Sequence, residues 1–193
     1  NGFVTVSGEK MSKSKGNIFP LKTMIEQYGA DLVRINMAAS NENMDDADWK
    51  EDSLKTFSAK LSYLINLTLT FKNAGRTKEN NMDRYMMGVL QTCVKNATEN
   101  YQVMKFRSGV QYSVFHLLNE LSYYIERCGG IKNCSKKLLE ECISVAIRLI
   151  APLTPHVSEE LWSKLGNKKF VSLGPWPEFD EKKIDSDIAN LES

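Results

Sequence analysis

The 193-residue sequence lacks an excess of charge of either sign, a long apolar run and an initiating methionine. Lysine and arginine number 25 against 24 aspartates and glutamates, a net charge of +1, so any basic surface must be local. The longest apolar run, Val145 to Leu153, is interrupted by Arg148 and Pro152 and falls short of the ~20 residues that span a bilayer. Since no signal peptide precedes it and the first residue is Asn1, we expect an internal piece of a longer cytoplasmic protein with no membrane segment.

The sequence is also poor in cysteine and histidine, which argues against a metal site. Its four cysteines form no C-x-x-C pair, and only two histidines could supplement them, so the spacing offers no zinc ligands. Cys93 and Cys142 occupy apolar helical positions and are predicted to be small core residues. Cys128 and Cys134 flank the turn at Gly129-Gly130 and are expected to remain reduced.

What the sequence does contain is 42% hydrophobic residues, enough for a core, in stripes with the period of amphipathic helices. Both faces are apolar from Leu138 to Ile150, which predicts a central helix surrounded by the others. Short polar connections between the stripes predict an antiparallel bundle. The other stripes are Leu21, Met24, Ile25 and Tyr28; Leu32, Ile35 and Met37; Leu54, Phe57, Leu61, Leu64 and Phe71; Tyr85, Val89, Cys93, Tyr101 and Met104; Val110, Val114, Leu117, Leu118, Leu121 and Ile125; Val157, Leu161, Trp162 and Leu165.

Several residues indicate where the predicted helices and extended segments begin. The acidic run from Asp45 to Asp48 predicts the cap and first turn of the long third helix. Thr154 and Pro155 predict the N-cap and first turn of the last helix. A β-prone stretch, Phe3 to Val6, and an extended Pro175-Trp176-Pro177 segment stand at the two ends. The predicted fold is therefore mainly α, with short β or extended pieces at both ends.

The stretch from Glu9 to Asn17 has no apolar period and interleaves three lysines with serines, a glycine and an asparagine. Ammonium groups on a mobile loop can neutralise a polyphosphate while hydroxyl and backbone N–H groups donate hydrogen bonds to it. A solvated linker or a basic localisation tract is the alternative. The preceding β-prone stretch, the following helices and the embedded Met11 favour the phosphate interpretation.

The string Lys10-Met11-Ser12-Lys13-Ser14, called here the signature loop, is similar to that of class I aminoacyl-tRNA synthetases. Residues 29–34 resemble the segment that follows this loop in the leucyl, isoleucyl and valyl subgroup. Residues 149–162 resemble the end of that subgroup's anticodon-binding helix bundle, and Trp176-Pro177 resembles its terminal extended motif. The resemblance therefore extends over nearly the whole sequence.

Within the subgroup, Asn1-Gly2-Phe3 and residues 45–49 resemble the archaeal and eukaryotic cytosolic leucyl branch; the valyl and isoleucyl enzymes are near rivals. The resemblance implies a parent enzyme that activates leucine with ATP and Mg2+ and transfers it to tRNA. It also implies catalytic roles for Lys13, at the phosphates, and for Lys10 in support. Met11, Ser12 and Ser14 would complete the ATP-binding loop.

The same resemblance implies three parts: residues 1–44, the end of the catalytic domain with stem-contact helices; 45–166, the helix bundle; and 167–193, an extended tail. The sequence contains no His-Ile-Gly-His motif, amino-acid pocket or editing domain of that family. We therefore expect the piece alone to be inactive and to reach ATP and leucine only through an absent catalytic domain. A monomer is expected.

Basic residues of the helices are candidates for contacts with tRNA, although most surface charges have no partner. His116, His156, Trp162 and Trp176 are expected to be structural rather than catalytic or base-stacking. A stand-alone RNA-binding or scaffold module remains an alternative function. The candidate tRNA-binding residues are Lys22, Arg34, Lys55, Lys60, Lys72, Arg76 and Arg107, with Arg127 and Lys132 as a further extension.

Overall fold

A computed structural model describes residues 3–184 of the chain. Asn1-Gly2 of the leucyl-like opening, and residues 185–193 of the predicted tail, lie outside the described residues. The described part is mainly helical, as predicted. Its helices are α1 (Leu21–Tyr28), α2 (Ala30–Ser40), α3 (Glu51–Thr70), α4 (Asn81–Gln102), α5 (Phe106–Val110), α6 (Leu117–Arg127), α7 (Lys136–Ile150) and α8 (Pro155–Lys164).

A small sheet precedes the bundle and carries the signature loop. It has three strands in the order β2-β1-β3: β1 (Val4–Val6), β2 (Glu9–Lys10) and β3 (Ala47–Trp49). β2 runs antiparallel to β1, with Thr5 opposite Lys10. β3 runs parallel to β1, with Thr5 opposite Asp48. The sheet therefore joins residues on both sides of α1 and α2.

The prediction that the acidic run from Asp45 to Asp48 begins a helix is wrong. Residues 47–49 form β3, because they pair with β1 and bury Trp49, which is 5% exposed. The third helix instead begins at Glu51, after Lys50 as N-cap. Glu51 and Asp52 supply the acidic first turn, where carboxylates oppose the positive end of the helix dipole.

The centre of the bundle is α7, as its apolar faces predicted. Nine of its residues are buried, and they belong to one cluster with the inner faces of α3, α4 and α6. The stripe around Leu118, itself 1% exposed, lies in this core. Between α5 and α6 the chain forms a π-helical segment, Gln111–His116, which the sequence pattern did not reveal.

One other local prediction is wrong. Met104 lies beyond the end of α4, with a left-handed φ of 60° and an exposed side chain, so it is not part of that helix's stripe. Thr154 occupies the N-cap position of α8 and Pro155 lies in its first turn, as predicted, but the Thr154 hydroxyl donates to the carbonyl of Ile150 at 3.2 Å and makes no capping hydrogen bond. Among residues 3–184, no helix combines the length and apolar character that crossing a membrane requires.

Candidate functional site

The signature loop leaves the sheet at Lys10 and folds back on itself. Its second half forms a 3-10 turn, Lys13–Lys15, which ends at Gly16 with a left-handed φ of 68°. The side chain of Asn17 spans the loop, because its Oδ1 accepts from Ser12 N at 2.8 Å and its Nδ2 donates to Lys10 O at 3.2 Å. The hydroxyls of Ser12 and Ser14 lie 3.3 Å apart. Backbone and side-chain hydrogen bonds thus hold this exposed loop in one compact conformation.

The turn just before the loop is anchored by Asp48 of β3. Its Oδ1 accepts from the backbone N–H of Gly8 at 3.1 Å and from the hydroxyl of Thr5 at 2.8 Å. These hydrogen bonds, Gly8 first, lower the pKa of Asp48 below its usual value, because they stabilise the ionised carboxylate. The structure therefore connects the base of the loop to the strand that leads into α3.

The three lysines of this region have different surroundings. The ammonium of Lys10 lies 3.6 Å from the centre of the Phe3 ring, and that of Lys15 pairs with Glu9 at 3.2 Å. The ammonium of Lys13 has no hydrogen bond or ion pair within residues 3–184 and is exposed. Of these three lysines, Lys13 is therefore the one whose charge is available to a group outside the described residues.

The candidate RNA contacts on the helices do not form one stripe. Lys55 and Lys60 are five positions apart, about 140° around α3 at about 3.6 residues per turn, and Lys72 lies in the 3-10 turn after that helix. Lys55 pairs with Asp52 at 3.0 Å, Lys22 pairs with Glu26 at 3.9 Å, and Lys60 donates to Asn119. A contact with RNA by these lysines stays a prediction.

Arg34 donates two hydrogen bonds to the chain before α8. Its Nε reaches the carbonyl of Leu153 at 3.2 Å, and one terminal nitrogen reaches that of Pro152 at 3.0 Å. These carbonyls belong to the turn after α7. The guanidinium therefore holds α2 against the bundle, a structural role that sequence periodicity cannot reveal.

Arg76 is engaged in a polar network inside the fold. Its guanidinium donates two hydrogen bonds to Asp83, at 2.6 and 2.7 Å, and Tyr124 donates another to the same carboxylate at 2.6 Å. Burial raises the pKa of Asp83, but these hydrogen bonds outweigh it and the pKa is lowered. The pKa of Tyr124 is raised, by burial first and then by Asp83. These contacts occupy the guanidinium of Arg76, so its charge is compensated within the fold.

Sequence analysis missed two carboxylates that join distant parts of the chain. Asp31, on α2, accepts from Val157 N at 2.7 Å and lies 2.8 Å from Nδ1 of His156. Glu42 accepts from both the backbone and the hydroxyl of Ser108 at 3.0 Å, and its pKa is lowered by the backbone hydrogen bond first. No local pattern marks such residues, because each partner is more than 60 positions away.

The histidines and tryptophans expected to be structural make intramolecular contacts. His156 faces Asp31, and His116 lies edge-on to Tyr112. Trp176 donates from Nε1 to the hydroxyl of Thr98 at 2.8 Å. Trp162 packs against the main core cluster. The structure thus gives all four side chains partners within the fold.

Comparison with known families assigns both halves of the chain. Residues 83–192 match the family model described as the anticodon-binding domain of tRNA ligase, which is more than half of the sequence. The chain belongs to this anticodon-binding domain family. Residues 1–68 match a second model, tRNA synthetases class I (M), and this stretch contains the signature loop.

Relatives with sequences similar to this chain include leucine–tRNA ligases of archaea. The chain is 36% identical to the Pyrococcus horikoshii enzyme over 182 residues, 92% of this chain and 19% of the relative. The identity to the Methanothrix thermoacetophila enzyme is 34%, over 100% of this chain and 20% of the relative. The chain therefore spans about a fifth of the length of these relatives.

A solved structure supports the same assignment. The chain superimposes on the LeuRS of Agrobacterium radiobacter K84 agnB2, in a ternary complex with tRNA and LeuAMS, with a TM-score of 0.81 and 25% identity. The match covers 95% of this chain and 24% of that one. The predictions of a mainly α fold and of a resemblance to the leucyl-type class I synthetases are confirmed.

Proposed function

We propose that this chain is the signature-loop and helix-bundle part of a leucine–tRNA ligase, which joins leucine to ATP's α-phosphate, releases pyrophosphate and then esterifies tRNA(Leu). The observation that carries the proposal is an exposed, unpaired Lys13 on a braced loop, in a chain similar to leucine–tRNA ligases from end to end. Its proposed parts are residues 1–44, the end of the catalytic domain; residues 45–166, the helix bundle; and residues 167–193, an extended tail. The enzyme would act as a monomer in the cytoplasm.

Lys13 would contact the phosphates of ATP and stabilise the charge that develops as pyrophosphate leaves. Phosphoryl chemistry of this kind needs positioning and charge neutralisation more than covalent help from the protein. Lys10 would support the same phosphates, and Ser12 and Ser14 would donate hydrogen bonds or shape the loop. Met11, which is half-buried, would pack near the adenine.

Mg2+ would enter with ATP. Residues 3–184 include no group of three or more His, Cys, Asp or Glu side chains arranged to hold a metal ion. Because Mg2+ takes most of its ligands from water and substrate phosphates, the ion would be held chiefly by ATP. What this chain would supply is the ammonium charge of the loop.

The bundle would supply part of the surface that binds tRNA. With Arg76 occupied by Asp83 and Arg34 by backbone carbonyls, the proposed phosphate contacts are Lys22 on α1, Lys55 and Lys60 on α3, Lys72 and Arg107. Ion pairs such as Lys55–Asp52 are solvent-exposed and contribute less than about 1 kcal/mol. They would therefore exchange readily for contacts with phosphates.

The decisive experiment is amino-acid-dependent ATP–pyrophosphate exchange by the full-length protein that contains this chain, with leucine, isoleucine and valine compared. We expect exchange with leucine and little with the other two. Lys13→Gln should reduce the exchange rate by about 100-fold, as loss of one transition-state donor does. Exchange at the wild-type rate in Lys13→Gln would contradict the proposed role.

Lys15→Gln is the matched control, because it removes the same charge two positions away. Its ammonium pairs with Glu9 on the surface, a contact worth less than about 1 kcal/mol. We expect its exchange rate to stay within about threefold of the wild type. The 193-residue chain alone should give no exchange signal. A signal from it would refute the proposal that activity requires a catalytic domain outside this chain.

A stand-alone RNA-binding or scaffold module is the alternative function. Such a module would bind tRNA through the bundle but would gain nothing from the charge of Lys13. Preference for isoleucine or valine in the exchange assay would instead point to the sister enzymes. The same experiment therefore separates all three possibilities.

A further inference from the structure

The first lysine of the signature loop lies against an aromatic ring on the sheet. Its ammonium, on Lys10, is 3.6 Å from the centre of the Phe3 ring, well inside the ~6 Å at which a cation and a ring face attract each other. Within residues 3–184 this ammonium makes no hydrogen bond or ion pair. The Phe3 ring is therefore the partner that the described residues give to Lys10.

The strand register puts the two side chains on one face of the sheet. Lys10 of β2 lies directly opposite Thr5 of β1, and opposed residues of an antiparallel pair share a face. Phe3 is two positions before Thr5, so the alternation of an extended chain returns its side chain to that face. On the opposite face, Val6 and Trp49 belong to the smaller core cluster. Phe3 and Lys10 therefore occupy the open face.

The backbone of Phe3 is fixed although its ring is 58% exposed. Its N–H donates to Oδ1 of Asp46 at 2.6 Å, and its carbonyl accepts from the N–H of Ala47 at 3.0 Å. Phenylalanine has only two side-chain dihedrals, whereas ordering a free lysine side chain costs more entropy than ordering most others. The ring is therefore the rigid member of the pair and restricts the flexible one.

An aromatic partner orders an ammonium without compensating its charge. Lys15 shows the contrast, because its ammonium pairs with the carboxylate of Glu9. A lysine ammonium has three N–H donors, and a ring on one side leaves donors for phosphate oxygens on the other. A side chain ordered before its ligand arrives also loses less entropy on binding. The contact therefore favours binding of a phosphate by Lys10.

We propose that Phe3 is a positioning residue for ATP: its ring holds the Lys10 ammonium over the open face of the sheet, so that the charge is in place when the phosphates arrive. The inference rests on the proposed function, which gives Lys10 its role at the phosphates. Phe3 acts through Lys10 and does not itself touch ATP. The main chain of Lys10 is fixed as well, because Nδ2 of Asn17 donates to its carbonyl at 3.2 Å.

NMR of the 193-residue chain with labelled lysine tests the contact itself. Protons above a ring face resonate upfield, so we expect the Lys10 ε-CH2 signal, identified by its absence from Lys10→Gln, upfield of the other lysines. Phe3→Leu should return it to their position, and Phe3→Tyr should keep it upfield, since a phenol ring also attracts a cation. A wild-type signal at the ordinary position, or one that Phe3→Leu leaves unmoved, would overturn the proposal.

ATP–pyrophosphate exchange by the full-length protein that contains this chain tests the effect on ATP. An exposed cation–π contact corresponds to about a two- to fivefold change in affinity, so Phe3→Leu should raise KM for ATP by that factor. The value of kcat should stay within about twofold, because an ammonium ordered in advance favours bound ATP and the transition state equally. Phe3→Tyr should restore the wild-type KM. A lower kcat at unchanged KM would contradict the proposal.

Phe170→Leu is the matched control for Phe3→Leu. Phe170 is similarly exposed, at 64%, but it precedes the 3-10 turn Val171–Leu173 after α8 and is not part of the sheet. We expect its KM for ATP to equal that of the wild type. An equal rise in KM in the two variants would show a general effect of losing an exposed ring and would refute the assignment.

A double-mutant cycle shows whether Phe3 acts through Lys10. In a Lys10→Gln background, Phe3→Leu should raise KM for ATP no further, because the ring then has no cation to hold. A further rise equal to that in the wild-type background would mean that Phe3 touches ATP directly or supports the fold, and would overturn the positioning role.

Failure of the proposed function would look different. A wild-type protein with no leucine-dependent exchange would count against that function and against the role it gives Lys10. The position of the Lys10 ε-CH2 signal would still decide whether Phe3 holds the ammonium.

Discussion

Asp31 caps a helix that begins more than a hundred residues later: its Oδ2 accepts a hydrogen bond from the backbone N–H of Val157 at 2.7 Å. The expected cap, Thr154, makes no such hydrogen bond. Asp31 is 6% exposed and its other oxygen faces His156. The carboxylate thus joins α2, next to the signature loop, to the last helix of the bundle.

Asp31→Ala should lower the free energy of unfolding by about 1–2 kcal/mol, the usual effect of removing a capping side chain. Urea denaturation at pH 7 measures it. His156→Ala is the control, because the His156 side chain is 75% exposed, and we expect a loss below about 0.5 kcal/mol. Equal losses in the two variants would show that the histidine contact, not the cap, carries the stabilisation.

Acid should destabilise the protein partly through Asp83. Its pKa in the folded protein is lowered, so its contribution is fully present above the carboxyl's unfolded value of about 3.9. It is lost as the pH falls through the lower folded value. We expect Asp83→Asn to be about 2–3 kcal/mol less stable at pH 7, because Arg76 loses a charged partner.

The measurement for Asp83 is urea denaturation between pH 7 and pH 2. The Asp83→Asn variant should show a shallower loss of stability below about pH 4 than the wild type. Asp52→Asn, whose carboxylate is 92% exposed, should follow the wild-type curve within about 0.5 kcal/mol. Parallel acid curves for Asp83→Asn and the wild type would contradict the assignment.

The sequence was sufficient to predict elements set by local pattern. Apolar residues on both faces predicted the buried position of α7, and their spacing depends only on helical geometry. The signature loop could be identified because its five residues are contiguous. In contrast, β3 could not be predicted, since its pairing with β1 joins residues 43 positions apart and overrode the helix-capping signal of Asp45–Asp48.

The partners of the basic side chains likewise could not be predicted from the sequence alone. Arg76 and Lys55 carry the same charge, yet one is held by a buried carboxylate and the other by an exposed one. Burial of the partner decides which cation is available to a group outside the chain, and burial follows from tertiary packing.

Gly109 should be intolerant of any side chain. A Cβ placed there would lie 2.2 Å from the ring of Tyr101, whose hydroxyl is within 2.8 Å of Ser113 and whose ring meets Trp176 edge-on. Because the ring is held on both sides, we expect Gly109→Ala to cost about 1–3 kcal/mol of unfolding free energy.

Gly88→Ala is the matched control for Gly109→Ala. Gly88 is inside α4 and a Cβ there would meet nothing within 4 Å, so alanine should stabilise the helix by about 0.5–1 kcal/mol. Thermal unfolding monitored by circular dichroism compares the pair. Opposite signs are expected, and a Gly109→Ala variant as stable as the wild type would show that the α4–α5 packing differs from that described.

Cys128 should be the one thiol that reacts readily in the folded chain. All four cysteines are free, but burial raises the pKa of Cys93 and of Cys134 to about 12 and also raises that of Cys142. The thiolate is the reactive form, so a disulfide reagent at pH 8 should modify one thiol quickly in the native protein and four after denaturation in urea. Cys128→Ser should abolish the fast phase, and a fast phase that persists in that variant would place another cysteine at the surface.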